Sequence, residues 1–324
     1  MTARVTVIVP VRNRRDLLVK LLDSLEQQTF HDFEVVVVDD GSTDGADVEA
    51  SGREIAGRPV RLMRSGGAGA VAARRLGVTG SSGEILAFTD SDCVTHPEWL
   101  QAGVAAIDAG NDMVNGLTRA ARQVGPLERS LESATEGLYP TCNMFFTRST
   151  YERFGGFDEQ ARDRLRFRVN QRARGTGFGE DTIFAWHMIR AGVAYSHAPD
   201  AIVVHHVFPA DPVEWLSRGV QMAAFPALVR EVPELKKTLL RRSVLLGSRS
   251  RIPAYSAAAA LALRAPRLAA GCAAWWALCR LRDLRRVPQS WPSRVAWLPA
   301  EMALDAVVGT ALVVGSVRSR TIVI

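Results

Sequence analysis

Asp90-Ser91-Asp92 sets two carboxylates one residue apart, directly after the run Glu84-Ile85-Leu86-Ala87-Phe88-Thr89. An apolar run of that length, bounded by polar residues, reads as a short buried strand. Both acids then fall just past a strand's C-terminal end, where open α/β sheets bind ligands. Carboxylates in that position can share a hard cation and leave coordination positions for a diphosphate. The competing reading is a plain turn, because Asp and Ser hydrogen-bond their own backbone and favour loops. A second acidic pair, Glu180-Asp181, follows the glycine-rich Gly175-Thr176-Gly177-Phe178-Gly179 and opens a helix through Ile183, Phe184, His187 and Met188, with Gly192 placed to end it. Acids at a helix start complement its dipole, and the glycines beside them permit a tight bend against a ligand.

These groups need a scaffold, and the chain supplies one in alternating pieces. Val5-Thr6-Val7-Ile8-Val9 is β-branched on both faces, as a central parallel strand requires, and Pro10 is expected to stop it. Asn13 is placed to cap a helix whose Leu17, Leu18, Leu21, Leu22 and Leu25 form one apolar stripe. Phe33-Glu34-Val35-Val36-Val37-Val38 reads as the next strand, completing a βαβ unit, and Val60-Arg61-Leu62-Met63 as the third. The order predicts an α/β fold with a mostly parallel sheet and helices on both faces.

Two further loops carry chemistry. Asp39, Asp40 and Asp44 follow the second strand, where a carboxylate can accept hydrogen bonds from a base or from ribose hydroxyls; an acidic turn is the alternative. Gly66-Gly67-Ala68-Gly69 departs from the dinucleotide pattern Gly-x-Gly-x-x-Gly and follows the third strand rather than the first. Its amides, with Arg74 behind them, can approach a phosphate, and a solvated Arg74 is the other reading.

Composition bounds the class. The 324 residues, 47% hydrophobic and 23% charged, suffice for one large core or two smaller ones. Of the net charge of +6, much lies in the last third: Arg241, Arg242, Arg249, Arg251, Arg264, Arg267 and the run from Arg280 to Arg286. A basic, apolar tail suits an anionic membrane surface more than nucleic acid. Cys93, Cys142, Cys272 and Cys279 have neither disulfide-framework nor zinc spacing, which fits reduced thiols. Met1 runs almost directly into a strand with no leader-like segment, so the expected compartment is the cytoplasm, with a peripheral place on the inner face of the cell membrane open to it.

Val7-Ile8-Val9-Pro10-Val11-Arg12-Asn13-Arg14, then Val38-Asp39-Asp40-Gly41-Ser42-Thr43-Asp44, then Phe88-Thr89-Asp90-Ser91-Asp92 resemble the successive nucleotide-binding motifs of family 2 glycosyltransferases. The resemblance covers roughly residues 4 to 210. It implies a Rossmann-like GT-A fold, a nucleotide diphospho-sugar donor and inverting transfer. It assigns donor binding to Pro10, Arg12, Asn13, Asp40 (the base), Asp44, Arg74 and Asp90 (the ribose or metal). Asp92 would hold the metal, typically manganese or magnesium. Phe154-Gly155-Gly156-Phe157-Asp158 is similar to an element of the same family that lines the sugar site, which brings in Gly155, Gly156 and Phe157. Glu180-Asp181 resembles the Glu-Asp motif in which the aspartate is the catalytic base, with Glu180 orienting the acceptor. Such a base is needed because an acceptor hydroxyl is a poor nucleophile. His205 and His206 follow the strand-like Ala201-Ile202-Val203-Val204; adjacent strand residues face opposite ways, so His205 is the candidate third metal ligand, with a structural histidine as the alternative.

The expected organisation is a catalytic domain over 1–210, nucleotide-binding to 118 and acceptor-binding from 119, followed by a helical region over 211–324 open to membrane association. In the latter, Trp215 to Leu228 and Leu235 to Leu246 read as helices, Ala254 to Leu281 as an apolar stretch interrupted at Arg264, Pro266 and Arg267, and Met302 to Val317 as a helix short for a span. Trp275, Trp276, Trp291, Trp297, Arg280, Arg282, Arg285 and Arg286 favour helices lying in a membrane interface over a spanning pair or a soluble subdomain. The expected enzyme transfers sugar to a glycan, lipid-linked or small-molecule hydroxyl, as in cell-envelope polysaccharide synthesis. The alternatives are a sugar nucleotidyltransferase and a noncatalytic nucleotide-sugar or glycan-binding module.

Overall fold

The computed structural model describes residues 2–125, 127–133, 137–165, 178–209, 211–241, 244–245, 251–284 and 290–323. Gly175-Thr176-Gly177, Arg242, Arg249, Arg285 and Arg286, singled out above, lie outside the described residues. In chain order the elements are β1 (Val5–Val11), α1 (Arg15–Glu26), β2 (Phe33–Asp39), α2 (Ala46–Ser51), the short β3 (Glu54–Ile55) and β4 (Arg58–Pro59), β5 (Arg61–Arg64), α3 (Ala70–Thr79), β6 (Ile85–Thr89), β7 (Cys93–Thr95), α4 (Trp99–Asp108) and β8 (Met113–Ala120). After these come β9 (Asn143–Thr147), α5 (Arg148–Arg153), α6 (Ala161–Arg164), α7 (Glu180–Arg190), β10 (Tyr195–His205), α8 (Pro212–Gln221), α9 (Phe225–Glu231), α10 (Leu235–Thr238), β11 (Leu240–Arg241), β12 (Val244–Leu245), α11 (Arg251–Ala262), α12 (Pro266–Asp283) and α13 (Trp291–Ser319). Two compact units emerge. The first is made of Met1–Arg122, Ser130–Arg164 and Gln171–Val207, the second of Gln123–Arg129, Leu165–Asn170 and Phe208–Ile324.

The first unit is built on an eight-stranded sheet in the order β5-β2-β1-β6-β9-β8-β10-β7. Six strands run one way; β9 pairs antiparallel with β6 and β8, and β7 antiparallel with β10, so the sheet is mostly parallel. The fully buried, β-branched β1 and β2 use both faces. Val5, Val7 and Val9 pack with Leu18, Leu21, Leu22 and Leu25 of α1 and with Trp99 and Val104 of α4. Ile8, on the opposite face, joins Phe88, Phe146, Phe157, Phe184 and Met188, while Val36 and Val38 meet Ala73 of α3. Helices therefore cover both sides, as the alternation of elements predicts. In register, Val11 of β1 lies beside Asp39 of β2 and Ile8 beside Phe88 of β6. That alignment brings the loops after three strands to one edge. A register shift between Ala198 and Ile202 sets the last part of β10 so that His205 lies opposite Cys93 of β7.

Local details correct the sequence reading. Pro10 lies inside β1 rather than at its end, and the pairing runs on through the Asp40 N–H, which donates to the Val11 carbonyl at 2.8 Å. Asn13 does not cap α1: its φ is +50°, and its Oδ1 accepts from the Thr43 N–H at 2.8 Å. Asp44 takes over that task from the neighbouring loop, accepting from the Arg15 N–H at 2.8 Å and the Ala46 N–H at 3.2 Å. The capping interaction thus comes from a residue distant in sequence, which also ties the two loops together.

In the second unit Trp215 to Leu228 is not one helix. It breaks into α8, a 3₁₀ turn over Met222–Ala224 and α9, because Pro226 has no N–H to continue the ladder and instead starts a new helix. The region read as a helix to Leu246 is one helical turn followed by the β11–β12 hairpin, whose hydrogen bonds run across rather than along the chain. The interruption near Pro266 is present and separates α11 from α12. The segment read as a short helix over Met302 to Val317 belongs to α13, 29 residues long with Pro299 inside it. α13 closes on the turn before α9 so tightly that a Cβ on Gly315 would stand 2.2 Å from the Ala223 carbonyl oxygen.

Candidate active site

The loop after β6 places Asp92 at the sheet edge with 5% of its surface exposed, and the end of β10 brings His205 against it, Nε2 standing 3.6 Å from Oδ2. The His205 Nδ1 lies 2.9 Å from the His206 carbonyl oxygen. The Leu131 N–H also points at Nδ1, 3.4 Å away, and Nε2 is the ring nitrogen that faces Asp92. Cys93, across the ladder from His205, completes a buried group whose ligand atoms with those of Asp92 and His205 all lie within 4.8 Å of one another. A carboxylate oxygen, an imidazole nitrogen and a thiol converging in a buried group are a donor set that can hold a divalent cation. Burial, then the neighbouring Cys142, push the Cys93 thiol well up, so it ligates only if a cation displaces its proton. Asp90 stands outside this group. Its Oδ1 accepts a hydrogen bond from Arg74 at 2.6 Å.

Arg74 is not a solvated helix charge. It is 5% exposed, paired with Asp90 and 3.7 Å from the Glu180 carboxylate. Burial opposes its charge, but Asp90 and Glu180 outweigh that and raise its pKa, so it stays protonated. Its buried Nε has no hydrogen-bond partner, which leaves a donor for an acceptor brought by a ligand. For Asp90, burial pushes the carboxyl up and the Arg74 guanidinium more than cancels it, holding it below its ordinary value.

Glu180 and Asp181 open α7 after Gly179, whose φ of +76° suits a residue without a Cβ. Asp181 Oδ1 accepts from the Thr182 N–H at 2.8 Å and Oδ2 from the Thr141 N–H at 3.3 Å. Burial, then the Glu180 charge, push the Asp181 carboxyl up to about 7, while Thr182, Arg74 and Thr141 pull the other way. Burial also raises Glu180, and Arg74 opposes it. A carboxyl near 7 is poised to take a proton from a hydroxyl at neutral pH.

The remaining residues fall into place around these. Asp40, 3% exposed, accepts from Ser65 Oγ at 2.7 Å and from the Gly69 N–H at 3.1 Å, with Arg12 Nη1 3.5 Å away. The Gly69 amide in the glycine loop therefore serves Asp40. Pro10 is buried in β1, while Arg12 and Asn13 are exposed at its end. Gly155 and Gly156 line a cavity of about 530 Å³ with Phe154, Ile183, Phe184 and His187. Phe157 does not present its ring there. It is 1% exposed and packs edge-on against Phe88, Phe146, Tyr151 and Phe184, because the aromatic core below the loop needs it.

Two residues that the motif spacing does not single out stand at the site. Arg14, at the end of the first motif, is ion-paired with Asp92 Oδ2. Cys93, a reduced thiol by its spacing in sequence, stands in the group with Asp92 and His205, and its position directly after Asp92 in a short strand is the sequence signal for it.

Residues 6–172, just over half the chain, match Glycosyl transferase family 2. The chain is similar to glycosyltransferase AglE of Haloferax volcanii, 40% identical over 116 residues, which are 35% of this chain and 38% of that protein. It is also similar to an uncharacterized glycosyltransferase, YibD, of Escherichia coli, 35% identical over 97 residues, 30% of this chain and 28% of that one. The chain thus spans less than two fifths of the length of either relative. In fold it is similar to a mannosyltransferase of Pyrobaculum calidifontis solved with GDP-Man and Mn2+, with a TM-score of 0.56 at 20% identity, covering 99% of this chain and 88% of that one. A mostly parallel sheet that gathers its motifs at one edge and a family match over those same motifs lead to one conclusion: this chain has the GT-A fold and belongs to glycosyl transferase family 2.

Proposed function

We propose that this chain moves a sugar from a nucleotide diphospho-sugar to a hydroxyl of a glycan or lipid-linked acceptor, with inversion and with Asp181 as general base. The observation that carries this reading is Asp181 itself, a carboxyl at the start of α7 whose surroundings hold it near 7. In inverting transfer the acceptor hydroxyl attacks the anomeric carbon from the face opposite the diphosphate, so its proton must leave to a nearby base as the new bond forms. Glu180 orients the acceptor, and its negative charge helps keep Asp181 basic. Asp40 serves the base of the donor, and Asp90, fixed by Arg74, its ribose. The free Nε of Arg74 offers a donor to the diphosphate. Asp92 and His205, with Cys93 beside them, would hold a divalent cation, which when bound neutralises the charge of the leaving diphosphate. The cavity beside Gly155 and Gly156 has the size of a small-ligand site and takes a sugar ring. We place the reaction in the domain spanning 1–210, on the cytoplasmic side of the cell membrane.

A panel of nucleotide diphospho-sugars, GDP-mannose first, incubated with the full chain and Mn2+ or Mg2+, tests the proposal by its products. Release of free nucleoside diphosphate, abolished in Asp181→Asn, supports transfer. Conversion of the donor to nucleoside triphosphate and sugar 1-phosphate when pyrophosphate is added would mark a nucleotidyltransferase, and tight binding without turnover a noncatalytic module.

A further inference from the structure

The last three helices of the second unit bury a cluster of charges and expose apolar faces. Asp305, in the middle of the apolar α13, is 1% exposed and accepts hydrogen bonds from Arg251 Nε of α11 at 2.6 Å and, from α12, Trp276 Nε1 at 2.8 Å and Arg280 Nε at 3.1 Å. Arg280 also stands 3.6 Å from Glu301. Two residues expected to face headgroups, Trp276 and Arg280, therefore point inward. The outer surfaces of the same three helices are apolar. On α12, Gly271, Ala274, Trp275 and Leu278 form one exposed face, with the exposed Arg267 and Arg282 at its two ends. On α13, Met302, Ala306, Thr310, Val313 and Val317 form another, followed by the exposed Arg318 and Arg320. Leu263 at the end of α11 is 79% exposed, Leu278 68% and Val317 74%.

Helices that face water carry the opposite pattern, with charges outside and apolar stripes within. Charges buried against one another under an apolar exterior are the arrangement that hydrocarbon surroundings favour. We propose that α11, α12 and α13 seat their apolar faces in one leaflet of an anionic bilayer. The coupling of the three helices decides against crossing. On α12 the exposed stripe between Arg267 and Arg282 runs about 22 Å at 1.5 Å per residue, short of the roughly 30 Å hydrocarbon core. α13 is long and apolar enough to cross, but through Asp305 at its middle it is tied to α11 and α12, which are too short. The arginines that end each stripe select an anionic headgroup layer by charge, and the exposed Trp275 and Trp291 are suited to its boundary with the acyl chains. Asp305 is the interhelical lock that lets the three helices present these faces together.

Flotation of the full-length chain tests this with vesicles of phosphatidylcholine alone and of phosphatidylcholine with phosphatidylglycerol. The wild type is expected to favour the anionic vesicles by roughly tenfold or more at low salt, with the preference shrinking at high salt. Trp275→Glu with Leu278→Glu, and separately Val313→Glu with Val317→Glu, should each weaken partitioning by roughly tenfold or more. These side chains are exposed, so circular dichroism and donor turnover should be unchanged. Arg267→Gln with Arg282→Gln should remove the anionic preference and leave residual binding. Absence of wild-type binding to either vesicle would overturn the proposal, as would undiminished binding by the glutamate variants. A wild-type dimer in size-exclusion chromatography that the glutamate variants dissociate would assign the surface to a second copy instead.

Discussion

Replacing Asp181 with Asn should stop transfer and stabilise the protein, but only above a definable pH. The carboxyl moves from its ordinary 3.8 to about 7 in the folded chain, chiefly through burial and the Glu180 charge. At 1.36 kcal/mol per pKa unit, that cost of ionising it in place amounts to about 4 kcal/mol, an upper value because the side chain keeps some solvent contact. Between pH 4 and 7 the folded state holds a proton that the unfolded chain has released, so wild-type stability falls as pH rises and levels off above about 7. Asparagine does not titrate. Asp181→Asn should therefore match the wild type near pH 4 and exceed it by up to about 4 kcal/mol at pH 8, read from urea unfolding monitored through the first unit. Turnover should move the other way. Wild-type kcat should drop about tenfold per pH unit below about 7, where the base is protonated, and the variant should lose roughly 10²–10⁴ in rate together with that acid limb. A variant that keeps the limb, or that is no more stable at pH 8 than at pH 4 relative to the wild type, refutes the reasoning.

Four other outcomes follow from the site and the helical unit. Asp92→Ala should weaken metal-dependent donor binding strongly while leaving metal-free binding unchanged, measured by calorimetry with and without Mn2+; equal affinities in wild type and variant under both conditions count against the ligand assignment. Arg14→Gln should tighten Mn2+ binding about fivefold, since a half-exposed ion pair worth about 1 kcal/mol no longer competes for Asp92, and an unchanged affinity would show that no competition exists. Arg74→Met leaves Asp90 and Glu180 without their shared counter-charge, so the acid limb assigned to Asp181 should shift to higher pH and the melting temperature should fall by several degrees. Asp305→Asn strips Arg251 and Arg280 of their buried partner and should cost about 3–5 kcal/mol, visible as an early unfolding transition reported by Trp276 fluorescence.

The sequence by itself determined the sheet's central strands and the loops that end them. Val5 to Val9 and Val35 to Val38 are buried on both faces, and a β-branched run bounded by polar residues has few other places to go. The order of strand, helix and strand then dictated parallel pairing, which sends Asp40, Asp90 and Asp92 to one edge whatever the loops do in detail. It also showed Glu180 and Asp181 at a helix start, because the i, i+4 spacing and the flanking glycines are local signals. What only the tertiary structure decided is which charge meets which. Arg74 joins Asp90, Arg14 joins Asp92, and Cys93 faces His205, all through pairings set by strand register and helix docking. The same holds for Asp305. In sequence it looked like the polar start of a short apolar helix, yet it is the centre of a 29-residue one, because Arg251, Trp276 and Arg280 come from two other helices to satisfy it. Periodicity reports how a segment meets its surroundings on average, whereas the partner of a buried charge is a single long-range contact that only the folded chain specifies.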